Sequence, residues 1–210
     1  IRTKYSGGND YDDWMRNQIN DGVAYLNYRG FYGFSGFTSS DVGQLNNGYK
    51  LPFIVTLTCG TGSFATETTC LTESLYRAGT SVTPKGAVAM IGPSDLDTDT
   101  RFNNVMCGAM WDEILERRQI ELGPALHAGK DSVRTQFDGL VINNTNIPDF
   151  YYHIYGVLGD PSIPIRLSSP SNLVLSGTQN INDSHFSFQI SDDSGNLIMD
   201  VVAALLYEGN

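Results

Sequence analysis

Two apolar runs of strand length, LPFIVTLT (51–58) and GAVAMIG (86–92), show no alternation of polar and apolar residues. A strand with one wet face alternates with period two. A strand that is apolar throughout is buried on both faces, as in a largely parallel sheet covered by helices on either side. The intervening segments carry helical signals that agree with this. DYDDWMRNQIND (10–21) places acidic residues in a first turn, where the helix dipole favours them. CLTESLYRAG (70–79) reads as a helix closed by Gly79. NNVMCGAMWDEILERRQIEL (103–122) has a stripe at Met106, Met110 and Ile114 and is stopped by Gly123-Pro124. PALHAGKDSVRTQF (124–137) reads as one more helix, with Pro124 in its first turn. GVAYLNY (22–28) is read as a further buried strand, followed by a Gly- and Phe-rich loop, RGFYGFSGF (29–37). Ser39 or Ser40 then caps a short helix through Leu45. DFYYHIYGVLGDPS (149–162) reads as the last strand. The expected fold is therefore α/β, a mostly parallel sheet flanked by helices.

The pattern changes after Pro164. Residues 172–176, 185–190 and 197–207 are strand-like, separated by polar turns such as Asp192-Asp193-Ser194-Gly195, and no helical period runs through them. The expected division is an α/β domain over 1–166 and a second, β domain over 167–210. An immunoglobulin-like sandwich needs about 100 residues, so the second domain is expected to be truncated or completed by another chain. The α/β part is likewise entered through a helix with no strand before it. These 210 residues are thus expected to be a section of a longer parent protein, completed by the rest of that chain or by neighbouring subunits, and not a closed monomer. The net charge of −10 argues against nucleic acid, whose phosphates need a basic face. No apolar run approaches the length of a membrane span, roughly 18 residues or more.

Three cysteines, Cys59, Cys70 and Cys107, cannot all pair with one another, and their spacing fits no zinc motif. Cys59 stands where an apolar strand leaves the sheet, followed by Gly60-Thr61-Gly62-Ser63. The carboxyl edge of such a sheet is where reacting groups collect, and glycines there let backbone N–H groups converge on an oxyanion. A buried structural cysteine is the plainer reading of the position alone. Cys70 and Cys107 fall inside predicted helices and read as core residues. Gly60 to Ala65 formally matches G-x-G-x-x-A, but the acidic residue that a dinucleotide needs about 20 residues on is missing. Asp95, Asp97 and Asp99 alternate like the start of an EF-hand loop. Thr100 and Met106 replace the required Gly and Glu, leaving a solvated acidic loop or a looser calcium site. His127, His153 and His185 carry no motif and read as structural or surface residues.

Several segments together resemble the gingipain-type cysteine peptidases, bacterial secreted enzymes of caspase-like α/β fold. They are GVAYLNYRG (22–30), LPFIVTLTCGTGSF (51–64), TTCLTESLYRAG (68–79), KGAVAMIGPS (85–94) and YYHIYGVLGDPSIPIR (151–166), in the family's order. The resemblance implies a caspase-like domain over 1–166 followed by an incomplete immunoglobulin-like segment, an extracellular or cell-surface location, and protein or peptide substrates. It implies no required cofactor, with calcium left open. It also places the nucleophile at Cys59, acting through a thioester. The family's base is a histidine after an Asn-Tyr-x-Gly turn, and here that turn is Asn27-Tyr28-Arg29-Gly30, followed by Phe31. Imidazole generates or holds the thiolate and protonates the leaving amine; phenylalanine does neither. Two accounts follow. One is a catalytically degenerate domain kept for binding or assembly, with the aromatic loop 31–37 as a contact surface. The other is an enzyme that recruits an imidazole from elsewhere, such as His153 or a partner chain.

Overall fold

The computed structural model describes residues 11–65, 69–167, 172–177, 188–199 and 201. The chain divides into two compact units, Ile1–Leu167 and Ser168–Asn210. In the first, the elements run α1 (Tyr11–Asp21), β1 (Tyr25–Tyr32), α2 (Ser39–Gly43), β2 (Phe53–Cys59), α3 (Leu71–Tyr76) and β3 (Ala89–Pro93). They continue with α4 (Thr100–Leu115), α5 (Leu122–Gln136), β4 (Val141–Ile142), β5 (Thr145–Asn146), α6 (Ile147–Ile154) and β6 (Tyr155–Leu158). The main sheet has the order β1-β2-β3-β6. β1, β2 and β3 are parallel, and β6 is antiparallel to β3.

The apolar run of β2 is covered on both faces, as expected. Phe53, Val55 and Leu57 join a core with Met106, Met110 and Ile114 of α4 and Ala125 and Val133 of α5. Ile54 joins the opposite core, with Met15 and Ile19 of α1 and Leu75 of α3. Alternate side chains of one strand therefore feed two separate layers.

Four expectations are corrected. First, β1 is not a buried strand ending at Tyr28. It runs to Tyr32, lies at one edge of the sheet among the described residues, and is half-exposed. Second, 149–162 is not one strand. Asn146 caps α6 by accepting the Asp149 N–H at 3.1 Å, and Ile147, Tyr151 and Ile154 are its buried stripe. The aromatic and β-branched composition there conceals a helical period. Third, α4 begins at Thr100, where the Asp99 carboxylate accepts the Arg101 N–H at 2.7 Å, and ends at Leu115. Arg118 takes a φ of 61° in the turn that redirects the chain into α5, a left-handed conformation uncommon outside glycine. Fourth, Thr38 and not a serine precedes α2, its N–H and hydroxyl both donating to Asp41 at 2.8 Å. The N–H bond is the reciprocal half of a capping box. Cys70 stands at the N-cap position of α3, with no capping side-chain bond, instead of lying inside the helix.

A two-residue hairpin joins β4 and β5. Asn143 and Asn144 both have positive φ, 49° and 63°, the type I′ geometry that asparagine tolerates. In the second unit β7 (Val174–Ser176) pairs antiparallel with β8 (Gln189–Ser191). Asp192 organises the following turn by accepting the N–H groups of Ser194 and Asn196, both at 2.9 Å. The run 197–207 lies mostly outside the described residues, as does His185.

Candidate active site

The site is built where β1, β2 and the N-terminal end of α4 meet. Alternate residues of β1 step down one stripe of α4. The Tyr25 ring lies 4.9 Å from Trp111, Asn27 accepts the Trp111 indole N–H at 3.1 Å, and Arg29 reaches Asn104 and Thr100. The Arg29 guanidinium donates to the Asn104 side-chain oxygen at 2.9 Å and to the carbonyls of Thr100 at 3.0 Å and Leu57 at 3.2 Å. It ties two strands to the start of α4. Beyond it the pairing slips: Arg29 faces Leu57, but Tyr32 faces Cys59, so β1 carries an extra residue. Such a bulge re-aims side chains, and Phe31, within it, is 86% exposed.

Cys59 is the last residue of β2 and is half-buried. Gly60 turns the chain at φ +79°, and a Cβ there would sit 3.0 Å from the Tyr32 ring and 3.2 Å from Leu96. Gly62 packs on β3, its N–H donating to Pro93 O at 2.9 Å. That amide is therefore engaged with β3. The Cys59 Sγ lies 3.0 Å from the Thr98 hydroxyl and 3.6 Å from the Thr98 carbonyl oxygen. The thiol thus stands next to the start of α4.

Behind Thr98 a chain of hydrogen bonds runs into the core. The Tyr155 hydroxyl bonds the Thr98 side chain and donates to the Asn103 side-chain oxygen at 2.8 Å. Tyr151 reaches the same oxygen at 3.1 Å and accepts the Asp99 N–H at 2.9 Å. Burial pushes both phenols well above the ordinary tyrosine range.

Two cavities open beside the thiol, and Phe31 and Cys59 line both. The larger, about 460 Å³, also takes in Tyr32, Leu96, Ile142 and Phe150. The smaller, about 130 Å³, is closed by Gly30, Thr98, Thr100 and Asn103. No histidine lines either cavity among the described residues. His127 is exposed on α5, 3.1 Å from Asp131 and edge-on to Tyr152, and His153 is exposed on α6 and not in a strand. Asp95 accepts the Asp97 N–H at 2.9 Å and Asp99 caps α4, and no three metal-ligating side chains converge among the described residues.

All three cysteines are free. Cys70 is fully buried, 3.3 Å from the Thr72 hydroxyl. Cys107 is half-buried beside Asn27, and burial pushes its thiol up. Alkylation under native conditions should therefore mark Cys59 first, Cys107 more slowly and Cys70 only on unfolding. Peptide mapping over a time course checks this order, and faster labelling of Cys107 than of Cys59 would contradict the placement.

Sequence reasoning locates Cys59 and Phe31 but misses Thr98, Arg29, Asn103 and the hairpin that supplies Ile142. Of these, only Thr98 has a local signal, since Asp99 as a helix cap marks where α4 starts.

A mostly parallel sheet with helices on both faces and a thiol at the carboxyl end of an inner strand is the arrangement of a caspase-like cysteine peptidase fold. The chain belongs to peptidase family C25, whose model matches residues 2–166. Gingipain R2 of Porphyromonas gingivalis is 28% identical over 189 residues, covering 83% of this chain and 24% of that protein. Gingipain R1 of Porphyromonas gingivalis is 27% identical over 199 residues, 88% of this chain and 19% of that protein. The chain thus spans a quarter or less of these relatives. Among solved structures, the Arg specific cysteine proteinase gingipain R superposes with a TM-score of 0.68 at 24% identity, over 87% of this chain and 42% of that one. The complex of Porphyromonas gingivalis RgpB pro- and mature domains gives 0.64 at 22%, over 89% and 47%.

Proposed function

We propose that this domain holds polypeptide chains in the cleft at Cys59, as a gingipain-like member of its family with the nucleophile position retained, and that residues 1–210 alone do not hydrolyse them. The observation that carries this is the company of the thiol. The Thr98 hydroxyl lies 3.0 Å from it, and Phe31 lines the same cavities. A Cys–His peptidase needs a group that takes the thiol proton and returns it to the leaving amine. A threonine hydroxyl can donate a hydrogen bond to sulfur but has no basic site at neutral pH, and a phenyl ring has none at all. Without that group a thioester does not form at a useful rate. The proposed chemistry is that of the thiol cleft and calls on no added cofactor.

A second reading has one observation in its favour, the reachable thiol itself. In it the domain is a cysteine endopeptidase acting through a Cys59 thioester, with imidazole supplied from elsewhere, such as a partner chain. Fluorogenic peptides, arginyl ones included, separate the readings when assayed against the intact chain and Cys59→Ala. The expected result is no Cys59-dependent turnover. Robust turnover abolished by Cys59→Ala would sink the non-hydrolytic reading. An extracellular or cell-surface location is part of the proposal, motivated by the family resemblance, and fractionation of the producing cells checks it. Among the described residues no helix is long and apolar enough to cross a membrane.

A further inference from the structure

We infer that the larger cavity beside Cys59 is a subsite for one apolar side chain of a bound polypeptide, aromatic or branched aliphatic, and not for a cationic one. This rests on the polypeptide-binding reading and adds what the cleft selects. At about 460 Å³ the cavity lies in the size range of real ligand pockets. Its apolar walls are Phe31, Tyr32, Leu96, Ile142, Ile147 and Phe150, and Cys59, Thr98, Asn143 and Thr145 complete the uncharged lining. Much of that wall is apolar surface facing water: Phe31 is 86% exposed, Tyr32 65% and Leu96 55%. Exposed apolar residues gathered around one concavity mark a place where apolar groups are taken up.

Two carboxylates also touch the cavity, Asp97 and Asp99. Asp99 is engaged as the cap of α4, accepting the Arg101 N–H at 2.7 Å. Asp97 stands exposed in the loop before it. A guanidinium or ammonium entering the cavity would exchange part of its hydration for a wall that is half aromatic and aliphatic. The carboxylate it could meet is solvated, and such a partner returns little. An aspartate or glutamate side chain would fare worse, adding like-charge repulsion to the same desolvation. An apolar side chain meets neither cost and covers exposed wall. A polypeptide is the occupant because the cavity opens on the thiol of a family C25 fold.

Peptidyl chloromethyl ketones test this directly. Cysteine sulfur displaces chloride, forming an S–C bond as the C–Cl bond breaks, and the thiol proton goes to buffer. Phe-, Leu-, Arg- and Asp-bearing reagents are compared by intact mass and peptide mapping of the whole chain. Each rate is divided by that reagent's rate with free N-acetylcysteine. Adducts at Cys59 should form at least about 10-fold faster with Phe or Leu than with Arg or Asp, a factor of the size a hydrophobic pocket commands. Leu96→Asp and Ile142→Asp, each on exposed surface, should cut that preference several-fold relative to each variant's own iodoacetamide rate. Equal rates, or a faster Arg reagent, would overturn the apolar subsite while leaving a polypeptide cleft in place. A Phe peptide without a warhead that fails at millimolar concentration to protect Cys59 from iodoacetamide would overturn the polypeptide reading, and the subsite with it.

Discussion

Raising the pH above about 10 should destabilise this chain at roughly 3 kcal/mol per pH unit through two side chains alone, Tyr151 and Tyr155. Both rings are 1% exposed, and burial raises both phenols far above their usual range. The sign follows from where the protons sit. Below about pH 10 a phenol is protonated in the folded and the unfolded chain alike, and its contribution is fully present. Above that the unfolded chain releases both protons while the folded one keeps them, so unfolding becomes easier with each unit until the buried phenols themselves ionise. Cys107, raised by burial, acts in the same sense from a lower pH. Lys130, lowered by burial, acts in the opposite sense, and only below its ordinary range. Urea unfolding midpoints across the alkaline range, from about pH 8 upward, measure the slope. The double variant Tyr151→Phe, Tyr155→Phe should be much flatter above about pH 10, and an unchanged slope would show that these phenols are not protected.

Asn103→Ala should cost about 3 kcal/mol, because one buried amide oxygen serves two buried hydroxyls and its loss leaves the Tyr155 hydroxyl without that acceptor. Asn103 is 2% exposed, and the phenols reach it at 2.8 and 3.1 Å. Tyr151 keeps a second acceptor in the Asp99 carbonyl at 3.1 Å, so Tyr155 bears most of the loss. The energetics should therefore couple. Combining Asn103→Ala with Tyr155→Phe should cost at least about 1 kcal/mol less than the sum of the two single changes. Chemical denaturation of the four chains in that cycle provides the measurement. Strict additivity would mean that the hydroxyl finds another partner.

Where burial is total the sequence can be read directly. The unbroken apolar runs of β2 and β3 predict their place between two layers, and Cys59 follows as the residue at the exit. Edges are harder. β1 is apolar enough to resemble an inner strand, yet Asn27 and Arg29 on its α4-facing side are polar because they bond to that helix. Residues 147–158 defeat composition because a helix passes into a strand with no turn between, and Tyr, Phe and Ile suit both. The candidate site is half legible for the same reason. A nucleophile at a strand end has a local signature. A threonine 39 positions later acquires meaning only once the chain has folded back on it.

The neighbour order β1-β2-β3-β6 has a consequence for the order of assembly. Among the described residues, each strand after β1 joins the outer side of the one before, so none of them has to be threaded between two already paired. A growing chain can lay down β1 to β3 as it emerges. The last step is different in kind, since β6 returns only after α4, α5 and α6 and closes the longest loop in the sheet, with the largest entropic cost. That same segment carries Tyr151 and Tyr155, which hold Asn103 and Thr98. A nascent chain that has completed β1 to β3 therefore already displays Cys59 at a strand end, but the wall against which the thiol rests has no backing until β6 arrives.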